Sequence, residues 1–262
     1  MDFLLECIGF PPGGDQESLG AHILAAGEAA PWRGAPEDHL RLSLGHGLEL
    51  RLDREEPDQP WTLLPHYRVD QRLRVAVDHL EPAPDSPFDV LLTGWVAPPL
   101  PGDRDPSPGA YRISTWLTDA RRLPPGLPCG HVLAVSIAGF ALGVDFVGPN
   151  SGVREAAILD RPHGAWIQPL GAPDSPGGCA EVSLRVREIR HLRNELTGRL
   201  VDVIIADAPE RPLALFVSPW QLENDGLPAP RPGWRIEGTF LFSGRLSGGL
   251  PGPPRRARRV FG

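Results

Sequence analysis

The sequence predicts a mainly β protein, with a small α+β unit at the N-terminus followed by small β-barrel or sandwich modules. Three observations lead to this fold class. The 262 residues include 30 Gly and 32 Pro, which separate apolar runs instead of forming a repeat. Most of these runs are short and alternate apolar with polar residues, as strands do. Pro at this frequency also excludes long helices, because it lacks a backbone N–H and clashes with the preceding turn.

The N-terminal unit is predicted over residues 1–80. Asp15 is placed to cap a short helix, and Gly27 to end it. Leucines alternate with polar residues on both sides of the turn at 45–47, which predicts a hairpin with one buried face. The predicted elements are a strand at 2–10, the helix between Asp15 and Gly27, the hairpin over 40–52 and a strand at 73–77.

Composition also predicts where the chain divides. The Pro-rich run at 81–87 marks the end of the N-terminal unit, and a later stretch rich in Gly and Pro has little periodicity. The predicted divisions are the α+β unit at 1–80, a β module at 81–150, a connector at 151–180, a second β module at 181–250 and an Arg-rich tail at 251–262.

The segment 181–250 has the most regular pattern of the chain. Three runs that alternate apolar with polar residues are separated by two turns, which predicts a three-stranded meander. Ser218 then caps a short helix, with Pro219 at its first position and Gln221 completing a capping box. A long final strand follows at 234–243.

This order of three strands, a helix and a closing strand resembles the OB (oligonucleotide/oligosaccharide-binding) fold, in which a helix lies between the third and fourth strands of a small barrel. The resemblance covers residues 181–250 and rests on element order, with no diagnostic motif. It implies a fifth strand, which we expect from a bend at Gly244 or from the tail at 251–262.

An earlier part of the chain is similar to this final strand. The run at 130–142 repeats the Gly turn and the alternation of 233–246, and 117–124 is similar to 205–212. The similarity indicates either an internal duplication or two unrelated turn-and-strand runs. The third strand and the capped helix have no recognisable counterpart before residue 130.

The two similar runs differ in the side chains of their outer faces. Val132 and Ala134 make the earlier run apolar on both faces, which is typical of a strand buried on both sides. Arg235 and Glu237 give the later run a polar outer face. We therefore expect Arg235 and Glu237 to be accessible, and Val132 and Ala134 to be buried.

Composition limits the chemistry that the chain can perform. All 26 basic residues are Arg, a bias typical of GC-rich bacterial genomes. Without Lys there is no Schiff-base chemistry and no phosphate-binding P-loop lysine. Residues 1–180 hold 13 Arg and 24 acidic residues, a net charge of −11, and residues 181–262 hold 13 Arg and 9 acidic residues, a net charge of +4. This asymmetry suggests a basic module on an acidic partner, or only solvated faces.

No motif nominates a catalytic residue, a cofactor or a metal. Cys129 and His131 are two residues apart, but the paired spacings of structural zinc sites do not occur. Ser243 lies at a strand end without a recognisable base. Asp119 and Asp207, in corresponding places of the two similar segments, are typical of turn residues that bond their own backbone. We predict no catalytic residue, no metal and no cofactor.

A ligand-binding face on the last module is better supported by the sequence than a catalytic or metal site. Arg outnumbers acidic residues over 181–200, and Phe216 points away from the apolar face of its strand, a position that leaves its ring either exposed or covered by another layer. An exposed aromatic beside Arg can stack on bases and contact phosphates. The alternative is that the helix or the N-terminal unit covers Phe216 and that nearby acids pair with the arginines. The predicted ligand-binding residues are Arg185, Arg187, Arg193, Arg199, Phe216 and Arg235.

These observations predict a non-catalytic binding or assembly module whose partner is a protein or a single-stranded nucleic acid. The net charge of −7 slightly favours a protein. The alternative is an enzyme of unrecognised type with a cleft between the β modules. Three Cys without a disulfide pattern, an acidic first segment and no apolar run long enough for a bilayer predict a soluble cytoplasmic protein with no membrane contact. The Arg-rich tail is suited to docking on an acidic surface.

Overall fold

The computed structural model describes residues 2–29, 39–53, 62–68, 71–83, 86–100, 102, 107–148, 164–171 and 177–250. Within these residues the chain forms a four-stranded sheet, a nine-stranded sheet and three short α-helices. The fold is mainly β with an α+β unit at the N-terminus, so the predicted fold class is confirmed.

The elements follow in chain order. The helices are α1 (Asp2–Glu6), α2 (Gln16–Ala26) and α3 (Pro219–Asn224), with a 3₁₀ turn at Ala120–Arg122. The strands of the N-terminal sheet are β1 (Glu28–Ala29), β2 (His39–Ser43), β3 (Leu48–Asp53) and β4 (Thr62–Tyr67). The strands of the large sheet are β5 (Leu73–Ala83), β6 (Ser86–Val96), β7 (Tyr111–Leu117), β8 (Val132–Val147), β9 (Trp166–Pro169), β10 (Cys179–Arg193), β11 (Leu200–Asp207), β12 (Leu213–Phe216) and β13 (Arg235–Gly248).

The chain begins with helix α1, so the prediction of a strand at 2–10 is wrong. Leu4, Leu5, Cys7 and Ile8 are all buried, at the three- and four-residue spacing of a helix face. A short run that is apolar almost throughout fits a buried strand and a buried helix equally well. Packing against the rest of the N-terminal unit decides between them.

The predicted N-terminal caps of the other two helices are confirmed. The Asp15 carboxylate accepts a bond from the Glu17 N–H at 3.1 Å, and the Ser218 hydroxyl accepts one from the Gln221 N–H at 3.2 Å. The second half of the capping box does not form, because the Gln221 side chain donates to the carbonyl of Leu142 at 3.4 Å. Helix α3 is thereby tied to β8.

The hairpin of β2 and β3 is confirmed, but its one-sided burial is not. All six residues of β3 are buried. The leucines of β3 enter an apolar core, and its alternate residues Glu49, Arg51 and Asp53 meet charged partners under the sheet. Alternation in the sequence therefore separates an apolar face from a charged one, and tertiary packing covers both.

The nine-stranded sheet closes into two five-stranded rings that share β8 and β13. In the first ring β5, β6 and β7 form an antiparallel meander, β7 pairs in parallel with β13, and β5 pairs with β8. In the second ring β10, β11 and β12 repeat this meander, β12 pairs in parallel with β8, and β10 pairs with β13. The long antiparallel pair β8–β13 completes both rings. Each ring therefore includes one strand from the other half of the chain.

The backbones of the two rings share a register irregularity and a glycine turn at equivalent places. The first strand of each ring has an irregular register directly after one valine, Val77 in β5 and Val186 in β10. At each of these points the valine carbonyl accepts a bond from the turn before a long strand, from the Gly130 N–H and the Gly233 N–H, both at 2.7 Å. Both glycines have positive φ, which an L residue rarely adopts. The similarity of 130–142 to 233–246 thus corresponds to equivalent places in the two rings.

Three expectations about these segments are corrected. The third strand and the helix do have counterparts before residue 130, namely β7 and the 3₁₀ turn. The fifth strand of the second ring is β8 and not a bend at Gly244, and the predicted alternative, the tail at 251–262, lies outside the described residues. The runs 117–124 and 205–212 are not equivalent, because the first leaves the third strand of its ring and the second leaves the second strand. A strand supplied by a distant segment leaves no local signal in the sequence.

Two apolar cores hold these layers together. The first fills the rings and contains inward-facing residues of both, such as Val135 and Phe240. The second lies between the N-terminal unit and the outer face of the second ring, where Ile8 and Leu50 join Val203 of β11. The N-terminal unit is therefore a layer over β11 and β12.

The predicted domain boundaries relate to these elements as follows. The boundary at 81–87 falls where β5 ends and β6 begins, and the strand predicted at 73–77 pairs with the strand that follows it. Most of the predicted connector, at 151–163 and 172–176, and the predicted tail at 251–262 lie outside the described residues. The division of the chain into the predicted segments stays a prediction.

Candidate binding cleft

The predicted arginine surface is largely compensated by carboxylates on the same hairpin. Arg187 Nε lies 3.1 Å from Asp207 Oδ1, and Asp207 is also the register partner of the exposed Arg185 across β10 and β11. Arg190 on the same strand pairs with Glu188. The structure therefore brings Arg185 and Arg187 together, with acidic partners beside them. Pairs this exposed contribute little to stability.

Two further predicted arginines lie near the end of this hairpin. Arg193 Nη1 donates to the carbonyl of Gly198 at 2.9 Å. The Arg199 guanidinium lies 5.7 Å from the centroid of the Trp220 ring, a cation–π distance that joins the hairpin to α3. Both side chains are exposed, but each is engaged by a neighbour.

Arg235 lies on β13 and is held by hydrogen bonds to neighbouring segments. Its Nη2 donates to Ser183 Oγ at 2.8 Å and also to the carbonyl of Gly164. Burial lowers the pKa of Arg235, and the charge of Glu237 opposes that shift. These bonds make Arg235 a link between β13, β10 and the residues before β9.

The predicted contrast in exposure between the two long strands is wrong. The Arg235 and Glu237 side chains are only 20% and 16% exposed. Val132 and Ala134 are likewise half-buried. The physical reason is that β10 and Gly164 cover the start of β13, whereas the outer face of β8 becomes fully buried only from Ser136 onward.

Of the two alternatives for Phe216, the structure shows the covered one. Its ring points away from Leu215, as the alternation predicts, but it is fully buried in the second core. It meets Tyr67 of β4 edge-on at 5.0 Å and stacks on Phe140 of β8 at 5.1 Å between ring centroids. The N-terminal sheet covers it, so Phe216 is not available for base stacking, and the predicted ligand-binding residues do not form one site.

A network of charged side chains is buried beneath the N-terminal sheet. Arg51 Nη1 lies 2.6 Å from Asp89 Oδ1 and 2.9 Å from the carbonyl of Thr118, and Arg51 Nε lies 2.6 Å from Asp53 Oδ2. Asp53 also pairs with His39. Burial opposes the charge of Arg51, but Asp89 and Asp53 outweigh it and raise the pKa of Arg51 above its ordinary value. The network joins β3 to β6 of the first ring.

Among the described residues, Ser243 lies beside a histidine, His66. Ser243 Oγ lies 3.1 Å from His66 Nδ1, so the structure supplies the partner that the sequence did not nominate. Both residues are buried, and within the described residues His66 Nε2 has no hydrogen-bond partner. A catalytic pair needs access to substrate and a third group that orients the base. The geometry therefore fits a structural contact between β4 and β13.

Two of the remaining titratable candidates, Asp119 and His131, have structural partners. Asp119 accepts bonds from the Leu246 N–H and from Arg122, each at 2.9 Å, and burial raises its pKa against the effect of these donors. Cys129 is exposed, and His131 bonds a backbone carbonyl near the end of β13. In the described part of the chain no three His, Cys, Asp or Glu side chains are placed to hold a metal ion.

A cleft of about 500 Å³ opens on the first ring. Trp95 of β6 and Arg112 of β7 are cross-strand partners in its wall, and β9 contributes Trp166 and Gln168. The turn between β11 and β12 closes one side. The described lining residues are Trp95, Ala110, Tyr111, Arg112, Ala165, Trp166, Ile167, Gln168, Pro169 and Pro209.

The cleft is aromatic and close to neutral. Arg112 is balanced by Asp78, whose Oδ2 lies 3.2 Å from Arg112 Nη2. The described lining includes no acidic, His, Cys or Ser side chain. Within the described residues the buried Tyr111 hydroxyl has no hydrogen-bond partner, and burial, helped by the charge of Glu210, raises the pKa of Tyr111 so that the hydroxyl stays protonated. Such a site can hold an uncharged ligand by ring contacts and a few N–H donors.

The position of the cleft follows from the similar topology of the two rings. Trp95 and Arg112 lie on the second and third strands of the first ring, facing outward between core residues such as Val96 and Ile113. The equivalent face of the second ring carries Phe216 and is covered by the N-terminal unit. An exposed aromatic surface beside an arginine, which the sequence predicted on the second ring, therefore lies on the first ring.

Sequence reasoning did not single out Trp95, Arg112 or Trp166. The available signal was weak: alternation places Trp95 opposite the core residues of its strand, and Arg112 at an outward position of the next. Trp166 falls in the segment that was predicted to be a connector. Only the folded pairing of β9 with β10 brings it to the cleft.

Comparison with known proteins gives no relative for this chain: no family, no curated protein and no solved structure matches it. Among the described residues, none of the helices is both long enough and apolar enough to cross a membrane.

Proposed function

We propose that this protein is a non-catalytic binding or assembly module, and that its partner is another protein held at the cleft of the first ring. The observation that carries the proposal is the cleft itself, in which two Trp rings and Gln168 line an open surface and Arg112 is balanced by Asp78. Trp, Tyr and Arg are the residues that dominate the binding energy of protein–protein contacts.

We also propose that both rings are variants of the OB fold. Each has a three-stranded meander followed by a helical turn and a long strand, and the third strand pairs in parallel with the strand that closes the ring. The cleft lies at the second and third strands of the first ring, the face through which OB folds bind their ligands. The exchange of the closing strands between the two halves would be the departure from a simple OB barrel.

A protein partner fits the site better than a single-stranded nucleic acid. Binding along a nucleic-acid backbone requires a positively charged groove. In the described lining the only charged side chain is Arg112, which Asp78 neutralises. The arginines of β10 lie elsewhere and have carboxylate neighbours. The chain as a whole carries a charge of −7, which opposes approach to phosphates.

An enzyme with its active site in the cleft is the less favoured alternative. General acid–base catalysis needs a titratable side chain within hydrogen-bond reach of the substrate. Of the described lining residues, Tyr111 is the nearest to this role, and its hydroxyl is buried. The Ser243–His66 pair lies under the N-terminal sheet, apart from the cleft.

The proposal is tested by affinity capture with the intact chain and two Trp variants. Tagged wild type, Trp95→Ala and Trp220→Ala are incubated with the same cell extract, with and without nuclease. Trp220 lies on α3, outside the cleft, and is the matched control. We expect a protein that is retained by wild type and Trp220→Ala, is lost with Trp95→Ala, and is insensitive to nuclease.

Retention that is equal for all three chains, or no retained protein, contradicts the proposed site. Retained material that nuclease removes supports the nucleic-acid alternative instead. A titration of labelled oligothymidine at low and moderate salt checks this directly, because binding through phosphates weakens steeply with salt.

The three cysteines of the chain are free, which fits a binding event in the reducing cytoplasm that we propose for it.

A further inference from the structure

We infer that the cleft recognises a proline-rich segment of the partner protein in the extended polyproline II conformation. This inference rests on the proposed function, since it names the ligand of the same site. Aromatic-lined grooves are a recurrent way to bind such segments, because a polyproline II strand is already ordered before binding and loses little conformational entropy.

The shape and composition of the walls suit this ligand. Trp95 and Trp166 stand on different strands, β6 and β9, with Pro169 and Pro209 completing the apolar lining. Pyrrolidine rings offer flat apolar faces on a rigid backbone, which can fill the spaces between such walls. The volume of about 500 Å³ lies in the range of sites that enclose a ligand of several residues or rings.

The hydrogen-bonding groups of the cleft are complementary to a proline-rich backbone. The polar side chains in the described lining, among them Arg112 and Gln168, all carry N–H or O–H donors, and no carboxylate is present. Proline has a backbone carbonyl but no N–H, so a proline-rich strand presents acceptors and few donors. A strand of ordinary residues would also bring N–H groups, and the described side chains of the lining include no carboxylate to accept from them.

The charge of the cleft also favours an uncharged proline-rich segment. Because Asp78 balances Arg112, burying a charged segment there would leave its charge without a counterion. A phosphate-bearing or strongly acidic ligand would need a free cation in the lining. An uncharged, apolar, acceptor-rich segment meets all three conditions of shape, hydrogen bonding and charge.

The test uses the full chain and a defined peptide pair. A fluorescein-labelled peptide of about twelve residues that repeats Pro-Pro-Leu is titrated with the protein, alongside the same peptide with every Pro replaced by Ala. We expect saturable binding of the proline peptide, with Kd below about 1 mM, and at least tenfold weaker binding of the alanine peptide.

Three variants locate the binding. Trp95→Ala is expected to weaken proline-peptide binding about tenfold or more, and Trp220→Ala less than about twofold. Gln168→Ala removes an exposed side chain of the lining, so it keeps the fold even where Trp95→Ala loses it. We expect Gln168→Ala to weaken binding about threefold to tenfold, and circular dichroism verifies that each variant is folded.

The inference is overturned if the proline peptide does not saturate, if the alanine peptide binds equally well, or if neither Trp95→Ala nor Gln168→Ala weakens binding. Oligothymidine that competes for the same Trp95-dependent site more strongly than the proline peptide also overturns it. A capture experiment that depends on Trp95 while the proline peptide fails would leave the binding-module proposal intact and refute only the ligand class.

Discussion

At the scale of single residues, the buried charges under the N-terminal sheet are the least expected feature. Arg51, Asp53, Asp89 and Glu49 are each less than a tenth exposed. Such groups are tolerated inside a protein only when paired and hydrogen-bonded, because removal of a charge from water is costly. Arg51 donates hydrogen bonds to Asp89 and to the carbonyl of Thr118, and its Nε lies 2.6 Å from Asp53 Oδ2 as an ion pair.

The first prediction concerns Arg51 itself. Arg51→Leu should lower the free energy of unfolding by about 3–5 kcal/mol, because Asp89 would remain buried without a counterion and Asp53 would keep only His39 as a partner. Arg187→Leu is the matched control, since Arg187 is 57% exposed and its pair with Asp207 should contribute less than about 1 kcal/mol. Urea unfolding of both variants measures the difference. Equal losses would show that the buried pairing is not stabilising the fold.

His66 provides a second prediction, on pH. Burial is the main cause that lowers the pKa of His66 well below its ordinary value, and the charges of Arg245, Arg51, Arg41 and Arg68 add to it. Glu49, the register partner of His66 on β3, is the acidic group that faces it. The imidazole therefore stays neutral in the folded protein at neutral pH.

The sign of the pH dependence follows from this shift. Below about pH 6.5 the unfolded chain binds a proton at His66 that the folded chain does not, so stability falls as pH falls, by up to about 1.4 kcal/mol per pH unit. Urea unfolding between about pH 7 and pH 5 should show a shallower slope for His66→Gln than for wild type. His79→Gln, at an exposed position, is the control. An unchanged slope in His66→Gln would exclude His66 as the source.

At the scale of elements, β8 and β13 decide the architecture. They pair with each other over most of their length, and each also pairs with the first strand of its own ring and the third strand of the other. Two strands that serve two rings must approach several neighbours closely. The loss of stability on replacing a glycine in these strands therefore depends on which neighbouring atoms its new Cβ would meet.

Gly238 in β13 is the site for a third prediction. Its φ is +148°, and a Cβ there would lie 2.1 Å from the carbonyl oxygen of Gly143 in β8. Gly238→Ala should therefore destabilise the protein by about 2 kcal/mol or more. Gly143→Ala is the matched control in the partner strand, because a Cβ at Gly143 meets nothing within 4 Å, and it should change stability by less than about 0.5 kcal/mol. Thermal unfolding of the two variants tests the contrast, and similar midpoints would contradict it.

At the scale of the whole molecule, the two rings are interlocked. The first ring is closed by β13 and the second by β8, so neither half of the chain holds all the strands of its own ring. The N-terminal unit adds a second core on one side of the second ring and leaves the cleft face of the first ring open. The two halves have a similar topology, but the N-terminal unit covers the outer face of the second ring and not the cleft face of the first.

This arrangement predicts that the halves fold only together. Fragments 71–148 and 177–250, expressed separately, should each lack fixed tertiary structure, because each would leave unpaired the strand that the other half completes. Mixed in equal amounts they should recover dispersed NMR signals and near-ultraviolet circular dichroism. A native-like spectrum from either fragment alone would contradict the dependence. The intact chain should unfold in one transition when it is followed by both probes.

Much of the local structure was predictable because its causes are local. Alternation identified the strands of 181–250 and the β2–β3 hairpin, and the side chains of Asp15 and Ser218 identified two helix starts. The resemblance of 130–142 to 233–246 was visible because equivalent strands need the same Gly turn. The α1 segment was misread because an apolar run without period fits two kinds of element.

The sequence alone determined a mainly β chain, its principal strands, two capped helices and a chemistry without Lys. The tertiary structure alone decided which half of the chain closes each ring, that Phe216 is covered while Trp95 lies at an open cleft, and that Ser243 meets His66. These outcomes depend on contacts between residues far apart in the chain. Alternation reports only which side of a strand a residue occupies, and the layer that packs on that side determines whether the residue is buried or free to bind.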